Sequence, residues 1–377
     1  MKVVHVITGL GQGGAEAMLE KLLLAGRASD PQIAQSVVCL GSIGAVGERL
    51  LRAGFTVRAL ELSLSAPLSL LKLRLLGGAV KVPGDEAVVI QTWLWHADLL
   101  GGLLARLRGN PRVVWNVRNS MPALASTKLR SRGVAWLCAR LSRRVPQRIV
   151  CNSRAALRAH VAIGYDADKC VVLPNGFDLT TFARREGARS STRAAWGVAD
   201  DDLLVGMVAR VDAQKDHATF LRAASIVAGH VARARFVLVG AGVTTDHEIR
   251  ALLEELQLTG RVVLEERRED INNVMAGLDI FCLASRSEGF PNVLGEAMAS
   301  STPSVTTDAG DSAQIVGDPR FVCPVGDAPG LAACLQRVLE MPAGDRAALG
   351  AAQRRSIEER FSIAAVWSSY RDLYESL

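Results

Sequence analysis

The 377-residue chain has no apolar run long enough to cross a bilayer, no Cys-x-x-Cys pair, no internal repeat and no low-complexity tract. Crossing the hydrocarbon takes roughly 18 or more consecutive apolar residues. The nearest stretch, Leu60 to Leu76, is broken by Glu61, Pro67, Lys72 and Arg74. The cysteines (Cys39, Cys138, Cys151, Cys170, Cys282, Cys323, Cys334) are odd in number and scattered, which favours free thiols in a reducing cytosol over disulfides or zinc. The opening Met-Lys-Val-Val-His-Val-Ile is too short for a secretory leader and runs into glycines, so it reads as a first buried strand. An apolar content of 49% excludes a disordered or collagen-like chain.

What is present is enough length for two ordinary domains, and an uneven charge. The net charge of +6 conceals a basic first half: residues 1–180 hold 23 Lys or Arg against 11 Asp or Glu, and the remainder 21 against 27. Such a half suits an anionic partner, either nucleic acid or the surface of an anionic bilayer. The basic residues concentrate between Ser126 and Arg148, at Lys128, Arg130, Arg132, Arg140, Arg143, Arg144 and Arg148. At helical period Val134, Leu137, Cys138, Leu141 and Val145 gather on one side and Trp136 falls in the basic arc. That is a surface helix with solvated arginines, or one docked on lipid phosphates with Trp136 at headgroup level.

Strands and helices alternate from the start. Val3 to Thr8 reads as a strand, then Gly9-Leu-Gly-Gln-Gly-Gly14, then a helix from Ala15. The Gly-x-Gly-x-x-Gly match invites a dinucleotide, but that site also needs an acid at the end of the second strand, and Ser36 to Gly41 runs into Ser42. Further strands are Phe55–Leu60, Ala87–Thr92, Arg112–Asn119 and Arg148–Ser153, with a helix from Asp98 to Arg106. Ser153 is placed to cap the next helix. Trp93 and His96 follow a strand, on the edge where open parallel sheets hold ligands. A histidine there is also commonly a cap or a packed ring, and the tryptophans read as wall and core or, at Trp93, as a sugar platform. Arg184 to Thr192 has no apolar period and reads as a linker. Asp200-Asp-Asp202 has a metal-site spacing but precedes a strand, so no metal is expected there.

In the second half Leu203 to Arg210 is a strand and Lys215 stands at the start of the next helix, so two cations can reach one point at the sheet edge. Phe236–Gly242, Val262–Leu264 and Pro303–Asp308 are further strands. Leu278 to Ala284 is an apolar block ending in Ser285-Arg-Ser-Glu288-Gly-Phe-Pro291, and a helix follows. Pro291 suits a first turn, because its missing amide would have had no partner. Glu288 then lies in the loop, Glu296 about one turn into the helix, and the amides of Asn292, Val293 and Leu294 at a helix start that favours an anion. Two such glutamates are otherwise a cap and a solvated helix carboxylate.

Glu288-Gly-Phe-Pro-x-x-x-x-Glu296 resembles the Glu-x7-Glu signature of the retaining nucleotide-sugar glycosyltransferases of family four, which have the GT-B fold. The resemblance implies two Rossmann-like, doubly wound α/β domains of parallel sheet facing across a cleft: 1–180, with 362–377 packing back on it, and a nucleotide-sugar domain at 195–361. It implies that Glu288 contacts the transferred sugar and Glu296 the ribose. Arg210 and Lys215 match the family's Arg-x4-Lys diphosphate clamp, backed by Gly289, Phe290, Pro291, Asn292 and Val293. His96 resembles the family's strand-end histidine beside the sugar, and Gly13-Gly14-Ala-Glu16 its N-terminal Gly-Gly-Ala-Glu element. Many relatives carry glutamate where this chain has Gln314. The implied activity is metal-independent hexosyl transfer, with retention, from a UDP- or GDP-linked donor and with no cofactor. The implied acceptor is a lipid-linked saccharide for bacterial surface polysaccharide such as lipopolysaccharide, with the enzyme peripheral at the inner face of the plasma membrane. The rival readings are a nucleotide-sugar epimerase of similar fold, an NAD-dependent oxidoreductase, and a nucleic-acid binder, whose basic patch would lack interleaved aromatics apart from Trp136.

Overall fold

A computed structural model describes residues 1–62, 75–78, 80, 87–118, 129–183 and 186–377. They form two compact units, 1–176 with 363–377 and 177–362. In the first, β1 (Lys2–Ile7), β2 (Ala34–Cys39), β3 (Thr56–Ala59), β4 (Val88–Trp93), β5 (Val113–Val117), β6 (Arg148–Cys151) and β7 (Cys170–Val172) make an all-parallel sheet in the order β3-β2-β1-β4-β5-β6-β7. Alternate residues feed two separate cores. Val3, Ile7, Val37, Val89 and Val114 enter one; Val4, Val6, Val38, Ile90 and Val113 enter the other. A strand buried on both faces reads as an unbroken apolar run, which is why these strands are visible in the sequence.

In the second unit, β8 (Leu203–Val208), β9 (Ala234–Val239), β10 (Val262–Glu265), β11 (Ile280–Leu283), β12 (Ser304–Thr307) and β13 (Val322–Cys323) pair, again all parallel, in the order β10-β9-β8-β11-β12-β13. The seven cysteines are free thiols.

The helix Ile363–Glu375 belongs to the first unit. Its buried Trp367 donates from Nε1 to Asp30 at 2.6 Å, Asn116 donates to the Tyr370 hydroxyl at 3.1 Å, and Tyr374 donates to Gln91. Gly26 lets the first helix, Gly14–Ser29, approach: a Cβ there would stand 2.6 Å from the Trp367 ring.

Three local expectations change. Ala188–Ala195 is a helix, so the linker reading fails for Ala188 to Thr192, while Arg184 and Arg185 lie outside the described residues. Arg193, its side chain 1% exposed, meets Asp279 at 3.1 Å, and Arg189 meets the same carboxylate at 2.8 Å; a helix anchored by charge leaves no apolar period to read. Among the described residues of the basic segment the helix is Leu129–Leu141, and Leu137 is exposed instead of lying on the apolar stripe; residues 126–128 lie outside the described residues, as does Asn119. The helix expected from Asp98 begins at Trp95–Ala97 and passes through a π turn, Asp98–Gly102, before Leu103–Leu107. That turn buries Asp98, whose Oδ1 accepts from Thr92 Oγ1 at 2.5 Å, and burial pushes its carboxyl well above the ordinary range.

Candidate active site

Each sheet has one point where the strand order reverses, between β1 and β4 in the first unit and between β8 and β11 in the second. Loops leaving neighbouring strands there diverge, which opens a crevice at the carboxyl edge. The residues singled out in the sequence fall on these four loops. Gly13 and Gly14 follow β1, His96 follows β4, Arg210 and Lys215 follow β8, and Glu288 to Glu296 follow β11.

The loop after β8 is closely packed. Ala209 donates to the Val239 carbonyl at 2.9 Å and Val211 to that of Ala241 at 3.0 Å, and a Cβ on Gly240 would overlap the Ala209 carbonyl. Asp212 sets the turn: it accepts from the Gln214 amide at 3.0 Å and from Arg210 Nη2 at 2.9 Å. The Gln214 amide first, then Arg210, hold its carboxyl below the usual range. Asp216 has φ 51°, a left-handed conformation that aspartate tolerates better than most residues. Its carboxylate caps the helix His217–His230 through the Thr219 amide at 3.2 Å and the Thr219 hydroxyl at 2.7 Å.

Lys215, between those two aspartates, points its Nζ to Glu288 Oε1 at 2.6 Å, and Ser285 Oγ donates to the same oxygen at 2.7 Å. The loop holding Glu288 is itself fixed: Thr307 Oγ1 donates to the Ser285 carbonyl at 2.6 Å and the Asp311 amide to that of Gly289 at 3.2 Å. At Gly310, φ 63°, any side chain would collide with the Glu288 carbonyl. Phe290 is buried and stacks on Phe177, 6.0 Å between centroids, with Phe361 edge-on at 5.6 Å. Pro291 is the residue that caps the helix Asn292–Ala299, one position earlier than the first-turn placement expected. The first amide bond into this helix is Gly295 to the Pro291 carbonyl at 3.5 Å, so Asn292, Val293 and Leu294 precede the ladder. Asn292, Val293 and Glu296 are half-buried.

The structure thus brings Lys215 and Glu288 into contact, and gives Arg210, its side chain 70% exposed, to Asp212. In the first unit Gly13 caps the helix Gly14–Ser29 and the Glu16 carboxylate reaches back over it, where a dinucleotide's pyrophosphate would need the helix start clear. His96 is exposed and has no partner among the described residues. Trp93 does not form a sugar platform: it is fully buried, with Nε1 donating to His5 Nδ1 at 3.2 Å, and burial brings His5 down to about 4, as an uncharged acceptor requires. Trp95, also buried, donates to His160 Nε2 at 3.1 Å.

Sequence reasoning missed Ser285, Asp212 and Arg286. Ser285 had a signal, a hydroxyl three residues before a loop carboxylate; Asp212 resembles an ordinary turn aspartate, and Arg286 depends on a distant partner. Among the described residues no group of three or more His, Cys, Asp or Glu could hold a metal ion, and no helix is long and apolar enough to cross a membrane.

Residues 24–181 match the family model described as Glycosyltransferase Family 4, and residues 202–341 that described as Glycosyl transferases group 1. EpsF of Bacillus subtilis, whose name places it provisionally among glycosyltransferases, is 31% identical over 324 residues, 82% of this chain and 79% of its own. An Escherichia coli UDP-Gal:α-D-GlcNAc-diphosphoundecaprenol α-1,3-galactosyltransferase is 27% identical over 58% of this chain and 57% of its own. The crystal structure of Anabaena HepE in complex with UDP matches the whole of both chains with a TM-score of 0.84 at 21% identity, which establishes the GT-B fold. With two parallel-sheet units, a family model on each and a relative matched over most of its length, the chain belongs to the glycosyltransferases of group 1 and family 4.

Proposed function

We propose that the protein moves a hexosyl group, with retention, from a UDP- or GDP-linked donor to a lipid-linked saccharide, in the assembly of a bacterial surface polysaccharide such as lipopolysaccharide. The observation that carries this reading is the Lys215–Glu288 contact where the order of the second sheet reverses, beside the start of the helix Asn292–Ala299. A departing nucleoside diphosphate gains charge as the bond to the sugar breaks, and fixed cations and amides aimed there lower the barrier. Lys215, Arg210 and the first-turn amides from Asn292 serve the diphosphate, Glu296 the ribose, and Glu288 the sugar, with Gly289, Phe290, Pro291 and Val293 shaping the loop. The anomeric carbon–phosphate oxygen bond breaks and the acceptor oxygen bonds to the same face, its proton passing to the departing diphosphate. Neither metal nor cofactor enters this scheme. His96 is assigned to the transferred sugar, and Gly13 and Gly14 to the diphosphate or the acceptor.

A lipid-linked acceptor agrees with the diphosphoundecaprenol substrate named for the E. coli relative and with the basic face of the first unit. On and after the helix Leu129–Leu141, Arg132, Arg140, Arg143 and Arg144 are exposed, Trp136 is 56% exposed, and the Arg140 guanidinium lies 4.6 Å from the Trp136 ring centre. That surface suits an anionic cytoplasmic leaflet, where each Arg contributes about 1 kcal/mol. A thermal-shift screen against UDP, GDP, ADP and NAD tests the donor: stabilisation by UDP or GDP supports the reading, and stabilisation by NAD alone overturns it. Donor incubated without acceptor should yield no new sugar isomer; one would favour an epimerase. Sedimentation with phosphatidylglycerol vesicles, lost on changing the four arginines to glutamate, tests membrane contact.

A further inference from the structure

We infer that Arg286 is a positioning residue for the diphosphate clamp, acting through Lys215 and Glu288 without touching the donor. The inference rests on the donor site proposed above. Segments 214–216 and 286–288 are tied together at three points. The Arg286 amide donates to the Gln214 carbonyl at 2.7 Å, Arg286 Nε lies 2.8 Å from Asp216 Oδ2, and Lys215 Nζ lies 2.6 Å from Glu288 Oε1. The middle residue of one segment therefore meets the last of the other, with a charged strap beside it.

Asp216 already caps its helix through Thr219, so the guanidinium is not needed to satisfy that carboxylate. What Arg286 adds is a link between the loops after β8 and β11. The Asp216 side chain is 3% exposed and that of Arg286 58% exposed. With Val211, His217, Asp246 and Ile249, these two line a cavity of about 350 Å³ whose wall includes neither Lys215 nor Glu288. A half-solvated ion pair contributes little to stability, but a displacement of about 1 Å in a binding group can cost on the order of 100-fold in rate. The strap's contribution therefore falls on the geometry of Lys215.

The test is a double-mutant cycle on UDP affinity, with GDP in parallel, read by calorimetry on the full chain. Arg286→Ala should weaken UDP about five- to tenfold while leaving UMP, which lacks the second phosphate, within about twofold. Arg286→Lys should restore most of the loss. Arg286→Ala combined with Lys215→Ala should bind no more weakly than Lys215→Ala alone. If Lys215→Ala weakens UDP and Arg286→Ala does not, or if the two losses multiply, Arg286 does not act through Lys215 and the inference falls by itself. If Lys215→Ala binds UDP like the wild type, the donor site falls and the inference with it. Melting curves exclude misfolding: Arg286→Ala should melt within a few degrees of the wild type.

Discussion

Replacing Lys215 with alanine separates what that ammonium does for folding from what it does for transfer. In the folded protein its Nζ is 2.6 Å from Glu288 Oε1, which Ser285 also holds at 2.7 Å, so Glu288 keeps one donor after the change. The two side chains are 24% and 10% exposed, so solvent screens part of the attraction. The loss to folding is then about 1 kcal/mol, or about 2–4 °C for a unit of this size. For transfer, removing one preorganised donor from an anion-stabilising site typically costs about 2.7–4 kcal/mol, a factor of about 100 to 1,000 in turnover. The assay follows release of nucleoside diphosphate beside a thermal melt of the same preparation. Turnover within tenfold of wild type, or a fall in melting temperature large enough to explain the lost activity by unfolding, would refute the role given to Lys215.

Glu288→Gln keeps an acceptor for Ser285 but removes the charge facing Lys215; UDP affinity should hold or tighten while transfer falls at least 100-fold, and calorimetry beside turnover separates the two. Loss of UDP binding would move Glu288 from the sugar to the diphosphate. Gly26→Ala places a Cβ 2.6 Å from the Trp367 ring and should destabilise the first unit by about 1–3 kcal/mol in a urea melt. Asp98→Asn should remove a pH dependence. With its carboxyl raised by burial, the folded state keeps a proton that the unfolded chain releases near about pH 4. Its contribution is complete below that pH and is lost as pH climbs toward the folded value, by up to about 1.4 kcal/mol per unit. The stability of Asp98→Asn relative to wild type should therefore grow between pH 4.5 and pH 7; a constant gap would show that Asp98 ionises in the fold.

The central strands were legible because they are buried on both faces and mostly apolar, and strand ends are where parallel sheets place ligands. Lys2–Ile7, Val88–Trp93, Leu203–Val208 and Ile280–Leu283 all lie within a few residues of their expected limits. The order of strands carries no such local signal, so the points of reversal that gather Arg210, Lys215 and Glu288 in one unit emerged only from the fold. What escaped the sequence depends on distant partners. Ala188–Ala195 is a helix because Arg193 finds Asp279. Trp93 reads in the sequence as core or as a platform, and its complete burial, with its ring N–H donated to His5, decides for core. The pairing of Asp216 with Arg286 is likewise a property of two loops and of neither alone.

The return of the helix Ile363–Glu375 to the first unit bears on how the molecule is made. Asp30, Gln91 and Asn116 wait for hydroxyl and indole partners that the ribosome supplies only after the whole intervening unit has been translated. The unit synthesised first is therefore the last to be completed, and trimming Trp367 onward would open the wall built from its earliest helix while leaving 177–362 with all its strands.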